Sequence, residues 1–285
     1  MFAEALYTAG TGALFGAALT ASGVYLPSVI IDQFRLTDFH MFHVFAVGMG
    51  SSAATMVALE QLGIINRPVR SNTSLGRFSA YDGNILGGVM VGVGMALSGA
   101  CPGTIPVQLA QGISSAKATA LGALVGGGTY ARISHIIKNT PQQQNPEAVP
   151  SKRTISDVSQ IPEPLVYILI GAAITGVLSL TNAKAGSAAV SPVTGGLLIG
   201  LAQTASLLLT GGPLGVSAVY ERLSQYILGA FKYKRIRKPT WPHKSIIFAL
   251  GIVAGSTALM RQGSLADLAR EMCRYHLCKH SSEAS

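Results

Sequence analysis

Three times in this chain a glycine-laced apolar segment runs into a proline. Gly12-Ala-Leu-Phe-Gly16 leads to Ser22-Gly23 and Pro27, and Gly196-Leu-Leu-Ile-Gly200 leads to Thr210-Gly211-Gly212-Pro213. Between them, Gly88-Val-Met-Val-Gly92 ends in Ser98-Gly99-Ala-Cys101-Pro102-Gly103-Thr104. Proline removes a helix hydrogen bond and clashes with the preceding turn, so each helix must stop or kink there. Inside a bilayer, freed backbone groups are tolerated only where they face protein or a water-filled cavity. The breaks therefore mark a candidate substrate path, and the middle one carries a thiol.

Composition puts these breaks in a membrane. Only 12% of the 285 residues are charged, against about 25% in a soluble domain. Hydrophobic residues make up 49% and glycines number 33. Many apolar stretches reach spanning length, roughly 17–25 residues. The expected fold is an all-α polytopic membrane protein with about seven to nine transmembrane helices plus short re-entrant helices. No removable signal peptide is expected, because the start lacks a basic region and Glu4 precedes an apolar stretch. The net charge of +9 reads first as basic cytosolic loops and second as attraction for an anionic substrate. It does not call for nucleic acid.

Spans are expected at 5–24, 40–62, 84–101, 115–137, 163–181, 193–210 and 245–262, with short half-spanning helices at 28–35, 105–112 and 214–229. The outer glycine segments match at one constant offset. Gly12, Gly16, Thr20, Ala21 and Ser22 correspond to Gly196, Gly200, Thr204, Ala205 and Ser206. Val44-Phe45-Ala46-Val47-Gly48 likewise resembles Ile247-Phe248-Ala249-Leu250-Gly251, and Gly12, Gly16, Ser22 and Gly23 match Gly88, Gly92, Ser98 and Gly99. Three copies of one unit are thus expected, with an extra span before the last copy inverting it. Inverted repeats with broken helices are a transporter plan with substrate near the midplane. The chain divides into a first half, 1–138, holding two units; a polar linker, 139–162; a second half, 163–262; and a polar tail, 263–285. The linker is rich in proline and glutamine and reads as flexible. Arg67, Arg70 and Arg77, then Lys138, Lys152 and Arg153, then Lys232 to Lys244 cluster in three loops. With a cytosolic N-terminus all three face inward, as positive-inside topology requires.

A free cysteine is ordinarily a small buried hydrophobe. At Cys101 the break argues for more. Gly99 and Gly103 let a ligand approach the backbone, Ser98 and Thr104 add hydroxyls, and a thiol is a weak donor to a soft atom. Pro27, Pro102 and Pro213 can each begin a short helix, and helix N-termini attract anions. Gln33, Gln108 and Gln203 are polar groups in apolar sequence, and Gln108 follows the cysteine motif closely; interhelical hydrogen bonding is their plainer role. Asp32, Asp38, His40 and His43 are candidates for proton relay. Local pairing with Arg35 and an interfacial position for the histidines are the simpler accounts. The tail stretch Cys273-Arg-Tyr-His276-Leu-Cys278-Lys-His280 has metal-ligating residue types. It matches no standard spacing and reads as an amphipathic tail. No nucleotide-binding, zinc-protease or hydrolase motif is present, and neither metal nor cofactor is called for.

The glycine helix ending in Ser98-Gly-Ala-Cys-Pro-Gly-Thr104 resembles the signature of the YeeE/YedE family, the sulphur-transport membrane proteins. Pro27-Ser-Val-Ile-Ile-Asp-Gln-Phe-Arg-Leu-Thr-Asp-Phe39 is also similar to that family's opening. The resemblance implies uptake of thiosulfate or a related small sulphur anion, with cysteine thiols touching the substrate. That role carries over to Cys101. The other two breaks carry Tyr25-Leu26-Pro27 and Thr210-Gly211-Gly212-Pro213, without thiols, so a relay of several cysteines does not carry over. The expected pathway residues are Cys101, Ser98, Gly99, Pro102, Gly103, Thr104, Gln108, Ser22, Pro27, Thr210, Gly211, Gly212 and Pro213. Half-helix N-termini would hold the oxygens and the Cys101 thiol the terminal sulphur, in the plasma membrane, with a cytosolic sulphur-accepting partner compatible with this picture. The rivals are transport of another anion or sulphur metabolite, and a membrane sulphurtransferase forming a persulfide on Cys101.

Overall fold

The computed structural model of the protein describes residues 2–65, 82–138, 160, 163–181, 190–212, 215–230 and 244–261. Pro213, the tail 263–285 and all of the linker except Gln160 lie outside them. Every described element is an α-helix. In the first half these are α1 (Phe2–Ala21), α2 (Pro27–Phe34), α3 (His40–Gln61), α4 (Asp82–Ser98), α5 (Ile105–Ala110) and α6 (Ser114–Lys138). The second half has α7 (Glu163–Leu180), α8 (Pro192–Thr210), α9 (Ser217–Ala230) and α10 (Lys244–Arg261). The three expected short helices are thus α2, α5 and α9. Three helices, α3, α8 and α10, are long and apolar enough to cross a membrane. Asp82–Ser98 and Leu165–Leu180 are apolar but shorter. The remaining long helices are less apolar for a visible reason: α1 carries Glu4 and several threonines and glycines, and α6 carries Lys117, Arg132 and Lys138.

Glycine decides how the core is assembled. A Cβ added at Gly12 or Gly16 of α1 would fall on the carbonyls of Phe248 and Ile252 of α10. In return, a Cβ at Gly251 or Gly255 of α10 would fall on the carbonyls of Ala9 and Ala13. The two backbones therefore touch directly, which is what small residues at fourfold spacing allow in membrane helices. Both contact series rise together, so α1 and α10 run parallel. The Phe15 and Phe248 rings stack beside this seam, 6.0 Å apart.

The α3·α8 seam is built alike. A Cβ at Gly196 would sit 2.6 Å from Val44 O, and one at Gly200 would sit 2.8 Å from Ser51 Cβ. These helices are also parallel. Thr20 Oγ1 lies 3.1 Å from Ser256 Oγ across the first seam, and Thr204 Oγ1 lies 3.2 Å from Thr55 Oγ1 across the second. Thr20 and Thr204 are at matching positions of the two glycine segments in the sequence. Each contact of this kind is worth about 0.6 kcal/mol on average.

Gly195, near the start of α8, presses on Ser22 at the end of α1, with a Cβ gap of 2.6 Å. The two helices then pack along their length, so α8 runs antiparallel to α1. The result is an exchange: the first helix of each outer unit packs on the second helix of the other. Leu19, Val24, Val44, Ile199, Phe248 and Ile252 fill the space between them. Lys244 pairs with Glu4 at one end of the bundle, an exposed contact of small energetic weight. Since α3 is antiparallel to α1, its C-terminal end at Gln61 emerges at that same end.

The other helices surround this frame. α2 packs on α3 and α4, α5 on α1, α6 and α10, and α9 on α6 and α10. α4 exposes Ile85, Val89, Met90 and Val93 around its circumference.

Candidate functional site

The three glycine helices stop by one device. Gly23, Gly99 and Gly211 follow α1, α4 and α8 with φ of +70°, +61° and +66°. A left-handed residue ends a helix, and glycine takes that conformation without penalty. Gly99 is held to glycine by space as well. A Cβ there would come 2.9 Å from the Cβ of Pro27. The second break thus rests on the first residue of α2.

After Gly99 the chain makes a closed turn. Thr104 N–H donates to the Cys101 carbonyl at 3.0 Å, and Ile105 N–H does so at 3.1 Å. Pro102 presets φ for the first inner position of such a turn. Gly103 is not among the positive-φ glycines, so the turn is of type I. The buried Thr104 hydroxyl accepts the Cys101 N–H at 2.9 Å and reaches the Cys101 carbonyl at 3.2 Å. Several N–H groups expected to face an anion are therefore used within the turn. Among the described residues, no backbone acceptor takes the N–H of Gly103. That N–H belongs to a residue whose added Cβ would lie 3.7 Å from Cys101 Sγ, with nothing else near. Cys101 itself is 9% exposed. Ser98 turns its hydroxyl back to the Gly94 carbonyl at 2.7 Å.

Gln108 binds the first two breaks together. It is fully buried, and its Nε2 donates to Tyr25 O at 2.7 Å and to Gly99 O at 2.9 Å. Two acceptors fix the amide orientation, and they leave Oε1 buried with no partner among the described residues. A buried acceptor without a donor is costly, about 1–3 kcal/mol. Sequence reading placed Gln108 on the path; the structure gives it a bridging position between two broken turns.

The third break stands apart. Gly211 N–H caps α8 by donating to Leu207 O at 3.1 Å, and Gly212 O accepts from Ser206 Oγ at 2.9 Å. Thr210 Oγ1 donates to Ser206 O at 2.7 Å. This end of α8 lies about 24 Å along its axis from Gly195 and Ser22, at 1.5 Å per residue. The short helix that follows does return to the centre. Tyr220 in the first turn of α9 donates its hydroxyl to Pro102 O at 2.7 Å and lies close enough to the Cys101 thiol to interact electrostatically with it. Pro27, Cys101, Gln108 and Tyr220 therefore gather at one place, with Ser22 near it and the glycines of the third break farther off.

One residue here was not singled out by sequence reasoning, and another was expected in different surroundings. Tyr220 fell only within the expected short helix 214–229, and no spacing ties it to Pro102. His40 was expected at an interface, yet it is 3% exposed. Its Nε2 is 2.8 Å from Ser22 O. A cavity of about 580 Å³ lies elsewhere, between α6 and α9, lined by residues including Leu124, Arg132 and Ile227. Chemically, the centre offers a shielded thiol, a phenol, an acceptor oxygen and the Gly103 N–H, without a base beside the thiol among the described residues.

A family model described as sulphur transport matches residues 21–266. No curated protein matches the chain.

Proposed function

Because this chain belongs to the sulphur-transport family, we propose that it carries a small sulphur-containing anion, thiosulfate first, across a bilayer past the Cys101 thiol. The observation that supports this most is the tie between two broken helices at a buried thiol. Gln108 joins the turn before Pro27 to the turn before Cys101, and transporters place substrate where such breaks meet. The thiol contacts the terminal sulphur of the anion, and the Gly103 N–H and nearby helix starts meet its oxygens. The substrate is carried, not turned over. The chain acts as a multi-pass protein of the plasma membrane, its outer units are inverted repeats, and α2, α5 and α9 are re-entrant. The antiparallel course of α1 and α8 supports the inversion. A cytosolic sulphur acceptor takes the delivered anion.

Cys101 is buried, so passage requires a second state in which Gly99 parts from Pro27 or Tyr220 from Pro102. Uptake of radiolabelled thiosulfate into proteoliposomes, with sulfate, sulfite and selenate as competitors, tests the reading. Saturable uptake that unlabelled thiosulfate blocks and that sulfate and selenate block poorly is expected. Absence of uptake, or a stoichiometric gain of one sulphur atom on Cys101 by mass spectrometry, overturns it.

A further inference from the structure

We propose that His40 is the protonation site that couples anion movement to a proton, an inference that rests on the transport reading above. The geometry of one ring carries the argument. Ser22 O can only accept, so the His40 nitrogen 2.8 Å from it, Nε2, holds the hydrogen. In a neutral imidazole the other nitrogen is then a bare acceptor. That atom, Nδ1, is buried and has no partner among the described residues. The ring is 3% exposed within the helix core. An ionisable side chain at such a place marks an ion or proton path more often than a structural role.

A proton added to the Nδ1 lone pair turns the ring into an imidazolium and leaves the Nε2–H bond to Ser22 in place. The new charge sits one short turn from the anion site. Ser22 O is held by His40, Tyr25 O by Gln108, and Gln108 also holds Gly99 beside Cys101. Proton and anion then favour each other by linkage, in equal measure both ways. The titratable groups near His40 are few. Asp38 accepts the His40 backbone N–H at 2.9 Å. His43, three residues on, shares its helix face and lies 2.7 Å from Thr181 Oγ1 of the α7 end. It is half-buried and offers a route for the proton to enter. Asp32 and Arg35 flank the α2–α3 connection, and the phenol of Tyr25 follows Ser22. α8 and the last three turns of α1, packed against this end of α3, carry no titratable group.

Full-length protein in proteoliposomes tests this, with thiosulfate outside at pH 5.5 to 7.5 and a pH dye inside. Histidine side chains change charge across that range. Wild-type uptake should rise about five-fold or more toward low pH, the lower bound of ordinary coupling, with acidification of the lumen. H40Q keeps a donor for Ser22 O and should lose both the rise and the acidification. Wild-type uptake with neither effect, or H40Q with both, overturns the proposal. Histidine NMR of a chain in which His40 is the sole histidine gives a readout independent of transport. Adding thiosulfate should raise the His40 midpoint by about 0.7 pH unit, the same five-fold coupling. An unmoved midpoint overturns the proposal, and does so even if H40Q fails to fold. No uptake by wild type together with a raised midpoint would sink the transport reading and leave the proton–anion coupling standing.

Discussion

α1 and α4 carry the same spaced glycines and use them in opposite ways. Gly12 and Gly16 lie against the backbone of α10, closer than any side chain would permit, while Gly88 and Gly92 meet nothing within 4 Å. Gly196 and Gly200 repeat the first pattern on α3. The spaced pair is therefore a licence for close approach, and whether it is used depends on what the partner presents. Phe248 to Gly255 and Val44 to Ser52 present glycine, alanine and serine at the seam. α4 has no such partner among the described residues, and the break that follows it carries the thiol. The outer segments make the frame, and the function proposed above puts the chemistry in the middle one.

The sharpest way to break this comparison is to load both kinds of glycine with bulk. Gly255→Leu drives a side chain into the Ala13 carbonyl, and overpacking of this kind costs about 1–3 kcal/mol or more. Little monodisperse protein should survive size-exclusion chromatography in detergent. Gly92→Leu should behave as wild type. Equal damage from both would mean that α4 has a partner.

Next in size is the effect of Cys101→Ala on uptake, expected to fall about ten-fold or more, equivalent to about 1.4 kcal/mol of barrier. Its thermal midpoint should stay near wild type, because the thiol fills little volume; Cys101→Ser should lie between the two. A large drop in melting temperature would move Cys101 from chemistry into the frame.

Tyr220→Phe removes the hydroxyl that meets Pro102 O. A loss of about 1 kcal/mol of stability is expected, read as a lowered midpoint in a thermal-shift assay, together with slower uptake. Uptake at the wild-type rate would separate α9 from the site. Thr204→Val should have the smallest effect, about 0.6 kcal/mol. The matched Thr20→Val should cost a similar amount, and clearly unequal losses would show that the two seams do not share their load.

Much of this organisation was legible in the sequence because breaks announce themselves. The glycine helices end at Ala21, Ser98 and Thr210, against expected ends at 24, 101 and 210, and α2, α5 and α9 follow them. The matched positions Thr20 and Thr204 proved to occupy matching places on the two seams. The partners across those seams were not legible. Gly12 could have faced any small-residue surface, and only three-dimensional packing selects Phe248. The site was partly legible for the same reason. Gln108 stood out as a polar residue in apolar sequence, whereas Tyr220 reaches Pro102 from 118 residues away with no local mark. His40 was misplaced because nearness to a span end was taken for nearness to water; it is 3% exposed, with its ring on Ser22 O.

The exchange of first helices also sets the order in which this chain can be finished. Thr20 and Ser256 meet across 236 positions, so α1 has its seam partner only when the last described helix has been made. During synthesis the glycine face of α1 must wait in the membrane, exposed to lipid and to wrong neighbours, while the thiol-bearing middle copy is laid down. Contacts so distant in sequence form slowly, and chains released early keep unmatched surfaces that invite misassembly. A chain cut short before Lys244 would therefore hold Cys101 and all three breaks yet lack the helix that closes the frame.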